Sequence, residues 1–497
     1  MSIFRNLIAL ATICAVGFGC APTPDEPDEE PTETPDDAPA VEKTGQEGDI
    51  TSYRVGEVDV VHMPTPANEV VAARLYLRGG TAMLDESTQG LERLALATAT
   101  RGGTESTPKN EFNARLDAVG SSVGFTANRD FTGFSMRSVR DHFDETWELF
   151  EEAIFEPAFE DDEIELQRDR QLSNIRRIAE NPNRLVSEVA RDLTFEDHPY
   201  YLRQSGTEET VEAFTPEQVR EWHDKLVAPE RMLLVVVGNI ESDELIDKVK
   251  ARLGTLEPTG LDLPELPEIA PEAPAQRVEQ MDVPTNYILG YFAAPTLGDD
   301  DYAALRLATQ HLRDRLFEEV RTKRNLTYSV ASSIGERGTN VGYLYVSAVD
   351  PKATIPVMLD EVDKLQKDAI DEQELEKVRN VFLTRHYTDQ ETNASIAGSL
   401  ARAELIGGDW RISQRFRDDI MDVTPDDIKR VANAYIGNYQ VGAVGDPDEV
   451  LPELFGVETE YAETVDEVED LDPEDIEEAP EPEEPEPEPG EDPAEIP

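Results

Sequence analysis

The stretch FTPEQVREWHDKLVAPERMLLVVVGNI, residues 214–240, governs the reading of the chain because it has an echo, VTPDDIKRVANAYIGNYQVGAVGDPDEV, residues 423–450. In each, Thr-Pro opens a helix (Thr215-Pro216, Thr424-Pro425). The threonine can accept a bond from the first free amides, and proline suits the first helical position, where its missing N–H has no partner to lose. A β-rich run then ends on Gly238 or Gly445, 23 and 21 residues after the threonine. Two such signals at nearly equal spacing indicate an internal duplication.

Between the copies lies LEPTGLDLPELPEIAPEAPAQ (256–276), whose prolines prevent both helix and central strand and mark a linker. Each half mixes strand-like runs, ARLYLRGG (73–80) or VGYLYVSAVD (341–350), with helix-like ones, TWELFEEAIF (146–155) or LRLATQHLRDRLFEEV (305–320). The pattern predicts an α+β chain of two homologous halves, each with helices packed on one face of a sheet. The expected units are a half at 51–258, a linker at 259–277 and a half at 278–457.

The flanks differ in kind. MSIFRNLIALATICAVGFGC (1–20) carries basic Arg5, an apolar run and small residues before Cys20, which is the layout of an export signal. Its VGFGC ending resembles a bacterial lipoprotein processing site. That implies a signal peptide over 1–19 and lipidation of Cys20, the sole cysteine left after processing, so neither disulfides nor thiolate metal ligands are available. Residues 20–50 and 458–497 are acidic and proline-rich with little to bury, and are expected to be a disordered tether and a disordered tail. The expected location is the cell envelope, lipid-anchored at the outer membrane and facing the periplasm or the exterior.

The formal net charge is −61, and residues 51–457 alone carry −32. Nucleic acid and anionic membrane surfaces are poor partners for such a chain. A salty habitat or a cationic substrate could each account for the acidity, and an acidic chamber wall would favour basic peptides.

The run GLERLALAT (90–98), followed by RGGT (101–104), FEPAFEDDEIELQRDRQLSNIRR (155–177), DHPY (197–200) and LLVVVGNI (233–240), resembles the insulinase/pitrilysin family of zinc metallopeptidases over about residues 51–457. The resemblance implies mostly antiparallel sheets and a clam-like pairing of the halves. In that family Gly-Leu-x-His-x-x-Glu-His puts two zinc ligands on one helix face with a general base between them, and a distant Glu completes the site. In this register the ligand positions hold Arg93, Ala97 and Asn174, and the base position holds Leu96. Arg93 has no acceptor lone pair, Leu96 and Ala97 have no ligand atoms, and a neutral amide binds zinc poorly. The half-site is therefore read as unable to activate water, with no metal or other cofactor in this chain.

No substitute is evident. Of the six histidines, His62, His142, His198, His223, His311 and His386, no two stand three or four apart. His142 beside Asp144 and Glu145, or Asp197 with His198, could meet a metal by accident, but surface or packing roles are expected. There is no Gly-x-Ser-x-Gly elbow, phosphate-binding loop or reactive cysteine.

The second half keeps Arg321 and Tyr328, seven residues apart in LFEEVRTKRNLTYSV (316–330). In the family such a pair holds the substrate backbone and donates to the developing oxyanion. Some members work as pairs in which one chain carries zinc and its zinc-free partner supplies the Arg/Tyr pair. By this resemblance the chain is a non-catalytic, peptide-binding subunit, not an enzyme on its own. Its expected partners are a zinc-bearing insulinase-family subunit, a peptide substrate, and the membrane through its lipid. The competing expectation is a lipid-anchored scaffold or peptide binder of the envelope with no role in proteolysis.

Overall fold

Thr215 accepts from the Gln218 amide while the Gln218 side chain accepts from the Thr215 amide, and Thr424 and Asp427 repeat the exchange. The helices Pro216–Leu226 and Pro425–Tyr435 thus both start on a reciprocal capping box with proline in the first turn. These elements belong to a computed structural model that describes residues 39–457. The signal region, Cys20, most of the expected tether and the tail from 458 onward lie outside the described residues.

The first sheet contains β1 (Val41–Glu47), β2 (Ile50–Val55), β3 (Val58–Pro64), β4 (Val70–Arg78), β5 (Ser122–Ala127), β6 (Phe131–Val139) and β7 (Met232–Gly238), in the order β1-β2-β3-β7-β4-β6-β5. The second contains β8 (Ala275–Gln280), β9 (Asn286–Ala293), β10 (Thr327–Ile334), β11 (Val341–Ala348) and β12 (Gln440–Gly445), in the order β10-β11-β9-β12-β8. Without the β1–β2 hairpin the two orders are the same. Each has one parallel pair, β3 with β7 and β8 with β12, among antiparallel neighbours. The duplication legible in the Thr-Pro signals is therefore a duplication of topology.

Each sheet buries one face on the helices of its own half. Leu75, Leu234 and Val236 meet Leu94 and Leu96 of the helix Leu91–Ala99, together with Phe143, Trp147 and Phe150 of the helix Phe143–Phe155. The opposite faces are covered by exchange. The helix Asn393–Gly407 of the second half lays Ala397, Leu400 and Ala401 on Val61, Tyr76, Leu233 and Val235 of the first sheet. The helix Pro182–Thr194 of the first half lays Val186, Val189 and Ala190 on Leu289, Tyr291 and Val444 of the second. This explains why β7 reads MLLVVVG without alternation: a strand covered on both sides has no solvent face to make polar.

Two boundaries move. Val41–Glu47, expected within the tether, form β1 paired antiparallel with β2, although six of its seven residues are exposed. Hairpin pairing, with Gly48 at φ 55 in the turn, holds a segment that has no apolar stripe to announce it. β8 begins at Ala275, before the expected linker end at 277. Among the described residues no helix is long and apolar enough to cross a membrane.

Candidate functional site

The helix Leu91–Ala99 is fixed at its start by polar tethers that the sequence did not advertise. Glu92, fully buried, pairs with Arg231 at 3.1 Å and accepts from Thr132, while Arg231 also donates to the Arg78 carbonyl at 2.8 Å. Gln171 donates to the carbonyls of Gly90 and Ser205, each at 2.9 Å, joining the helix Asp161–Ala179 to the entrance of the first helix. These bonds hold the two helices in the relation a metal site between them would need.

Four side chains then decide what that place can do. Leu96 belongs to the hydrophobic core and Ala97 is buried. Arg93 and Asn174 face a cavity of about 440 Å³. Asn174 is exposed and accepts from Arg177 of its own helix; Arg93 stacks on Phe125, 5.4 Å from the ring centroid. None of the four side chains is suited to hold zinc, and the base position is sealed from water. Among the described residues no group of three or more His, Cys, Asp or Glu side chains is placed to hold a metal.

The rings of His62, His198 and His386 have hydrogen-bond partners. His198 Nδ1 accepts from the Tyr200 amide at 3.0 Å, and its Nε2 lies 2.9 Å from the Pro267 carbonyl and 3.0 Å from Thr339 Oγ1. Beside it the Tyr200 hydroxyl and the Gly338 amide both donate to Asp130. First half, linker and second half are thereby clasped at one point. Burial holds the His198 imidazole below its ordinary value and lifts the Asp130 carboxyl. His142 stands in the turn Arg140–His142, where its carbonyl accepts from Thr146 at 2.8 Å.

The cavity wall is opposite in sign to the net charge of the chain. Five arginines, Arg93, Arg129, Arg184, Arg191 and Arg203, line it against one acid, Glu188. Glu188 and Asp192 are shared between Arg191 and Arg203, with Arg191–Glu188 at 2.6 Å, Arg203–Glu188 at 2.9 Å and Arg203–Asp192 at 2.7 Å. Arg93, Arg129 and Arg184 make no ion pair among the described residues. Burial first, then Arg337 and Arg191 nearby, pull the Arg129 guanidinium down to about 10. Burial and Arg101 lower that of Arg93. Charge totals hid this, since a net −32 says nothing of where the cations converge.

Arg321 and Tyr328 are brought together elsewhere. Arg321 lies on a π-turn, Phe317–Thr322, with its guanidinium 4.9 Å from the Phe317 ring centroid and 5.1 Å from that of Tyr328. Strand β10 bulges between Thr327 and Ser329, and the skipped residue, Tyr328, stands 82% exposed at the sheet edge. Neither residue lines the cavity at Arg93.

A family model described as Insulinase (Peptidase family M16) matches residues 59–207, and one described as Peptidase M16 inactive domain matches residues 213–382. The chain belongs to the insulinase (M16) peptidase family. It is 22% identical over 381 residues to an uncharacterized zinc protease of Streptomyces coelicolor, an alignment covering 73% of this chain and 81% of the relative. A peptidase M16 inactive domain from Pseudomonas fluorescens has the same fold, with a TM-score of 0.73 at 19% identity over 80% of this chain and 100% of that one. A protease from Helicobacter pylori matches with a TM-score of 0.71 at 19% identity, over 82% and 100%.

Proposed function

We propose that this chain is the non-catalytic, peptide-binding subunit of a heteromeric M16 metallopeptidase. The carrying observation is the contrast between its two family sites. The positions that would hold zinc carry Arg93, Ala97 and Asn174, with Leu96 in the core at the base position, whereas Arg321 stacks on Tyr328, which stands exposed. An arginine stacked between Phe317 and Tyr328 keeps its N–H fork directed, with no ion-pair carboxylate among the described residues to occupy it. Fixed donors can serve chemistry in a partner's site if an interface places them there, because preorganised dipoles need no rearrangement as charge develops. In this reading Arg321 and Tyr328 hold the substrate backbone beside a zinc-bearing M16 subunit, and Cys20 carries a lipid that keeps the complex at the outer membrane.

The test is the cleavage rate of a quenched peptide library by a zinc-bearing M16 protein of the same organism, alone and with this chain added. Stimulation by the wild type and its loss with Arg321→Ala are expected. Absence of both stimulation and association would overturn the subunit reading.

A further inference from the structure

The cavity at Arg93 has the makings of a binding site of another kind. Its cations are not all spent on structure: Arg191 and Arg203 are neutralised by Glu188 and Asp192, while Arg93 and Arg129, half-buried, and Arg184, exposed, make no ion pair among the described residues, and the pull of Glu188 on Arg129 is outweighed by Arg337 and Arg191. Asp130, the next acid along the chain from Arg129, is already engaged by the Tyr200 hydroxyl and the Gly338 amide. A guanidinium removed from water without a partner is costly, so the vacant pairing capacity favours an incoming anion. The same cavity is lined by Gln204, a residue 8% exposed whose amide oxygen and nitrogen both lack a hydrogen-bond partner among the described residues.

A ligand that satisfies this wall must bring a negative charge, and it must bring an acceptor and a donor for the two ends of Gln204. A peptide carboxylate with its adjacent backbone N–H meets all three requirements. Phosphate meets the charge and acceptor requirements better than the donor one. The helix Pro182–Thr194 also supplies Asn183 and Ser187 to a neighbouring cavity of about 320 Å³, walled by Tyr291, Tyr343 and Tyr345. The arginine wall and the tyrosine wall thus adjoin along one helix, so a chain could lie across both.

We infer that the place where relatives hold zinc is, in this chain, a subsite for a peptide carboxylate, an acidic side chain or a C-terminus, gripped by Arg93 and Arg129 and oriented by Gln204. This rests on the reading of the chain as a peptide-binding subunit and adds the substrate class: acidic peptides. Arg93 occupies the register of the first zinc ligand, so a fixed positive charge stands near where a metal cation would, now suited to a carboxylate in place of a carbonyl.

The experiment measures binding of the full mature chain to fluorescein-labelled alanine-based decapeptides by anisotropy. The peptides carry one Glu, or Gln in its place, each with a free or an amidated C-terminus. The expected result is that one carboxylate-bearing peptide, by side chain or by terminus, binds about tenfold more tightly than its neutral twin, a difference that falls with added salt. Arg129→Gln should abolish the difference and Arg129→Lys keep part of it, while both variants retain the near-ultraviolet dichroism of the wild type. Equal binding of charged and neutral peptides, unaffected by Arg129→Gln, would overturn the subsite and leave the peptide-binding reading standing. Binding of no peptide at all would overturn both. Inorganic phosphate displacing the Glu peptide at equal concentration would overturn the assignment to a peptide carboxylate.

Discussion

Gly442 on β12 lies so close to Ala190 of the exchanged helix that a Cβ placed on it would stand 2.3 Å from the Ala190 nitrogen and 2.6 Å from its Cα. The atoms in the way are backbone, so no side chain can swing aside. Gly442→Ala is therefore expected to push the helix Pro182–Thr194 off the second sheet and to cost about 1–3 kcal/mol. Thermal denaturation checks it, with Gly437→Ala, where nothing lies within 4 Å, as the variant that should change little. An unchanged melting temperature for Gly442→Ala would show that the halves are not packed as described.

That exchange of helices is the part of the fold least legible in sequence. The Thr-Pro signals could be read because capping chemistry is local: Thr215 and Thr424 act within three residues of themselves. An amphipathic helix, by contrast, shows which face is apolar without showing which sheet will take it. Nothing in Val186, Val189 and Ala190 distinguishes a helix covering its own sheet from one covering its neighbour's. The side chains at the four expected ligand and base positions are equally readable, since four positions in a fixed register are a local matter. The arginine cavity is not, because residues 93, 129, 184, 191 and 203 share no period and only the folded chain brings them together.

The ion pair of Glu92 and Arg231 anchors the helix that the family would use for its metal. Both side chains are almost wholly buried. Arg231→Met should leave the Glu92 carboxylate uncompensated beside Thr132 and cost about 3–5 kcal/mol, whereas removing both charges in Arg231→Met/Glu92→Leu should cost less. Urea unfolding of the two variants checks this; a double variant as unstable as the single one would show that packing, not charge, sets the cost.

Stability should fall as the solution is acidified through the histidine range. Burial depresses both His62 and His223 from an ordinary 6.5 to about 4. The folded state then binds fewer protons than the unfolded chain between those values. Their contribution is fully present above pH 6.5 and is lost as pH falls toward 4, at up to about 1.4 kcal/mol per pH unit for each. The raised carboxyls of Asp130 and Glu151 act in the opposite sense, so the measurement is a difference. Between pH 7 and pH 5 the stability of wild type should fall more steeply than that of His223→Gln, in which the titrating ring is gone. Parallel curves would contradict the assignment.

Elemental analysis after extensive dialysis is expected to find no stoichiometric zinc in the wild type, because Arg93 repels a cation and Ala97 has no ligand atom. The scaffold around the place is nevertheless retained, with Gln171 still tying the helix Asp161–Ala179 to the helix Leu91–Ala99. Arg93 and Asn174 still face one cavity, and Ala97 follows Arg93 by one turn. The triple substitution Arg93→His/Ala97→His/Asn174→Glu should therefore bind zinc while remaining inert toward peptides, since Leu96 supplies no base. Adding Leu96→Glu is expected to lower the melting temperature as well, because that side chain is fully buried among Leu94, Ala95 and the sheet and a carboxylate there would be unpaired. Tightly held zinc in the wild type, or none in the triple variant, would show that the helix register on which the lost site rests is wrong.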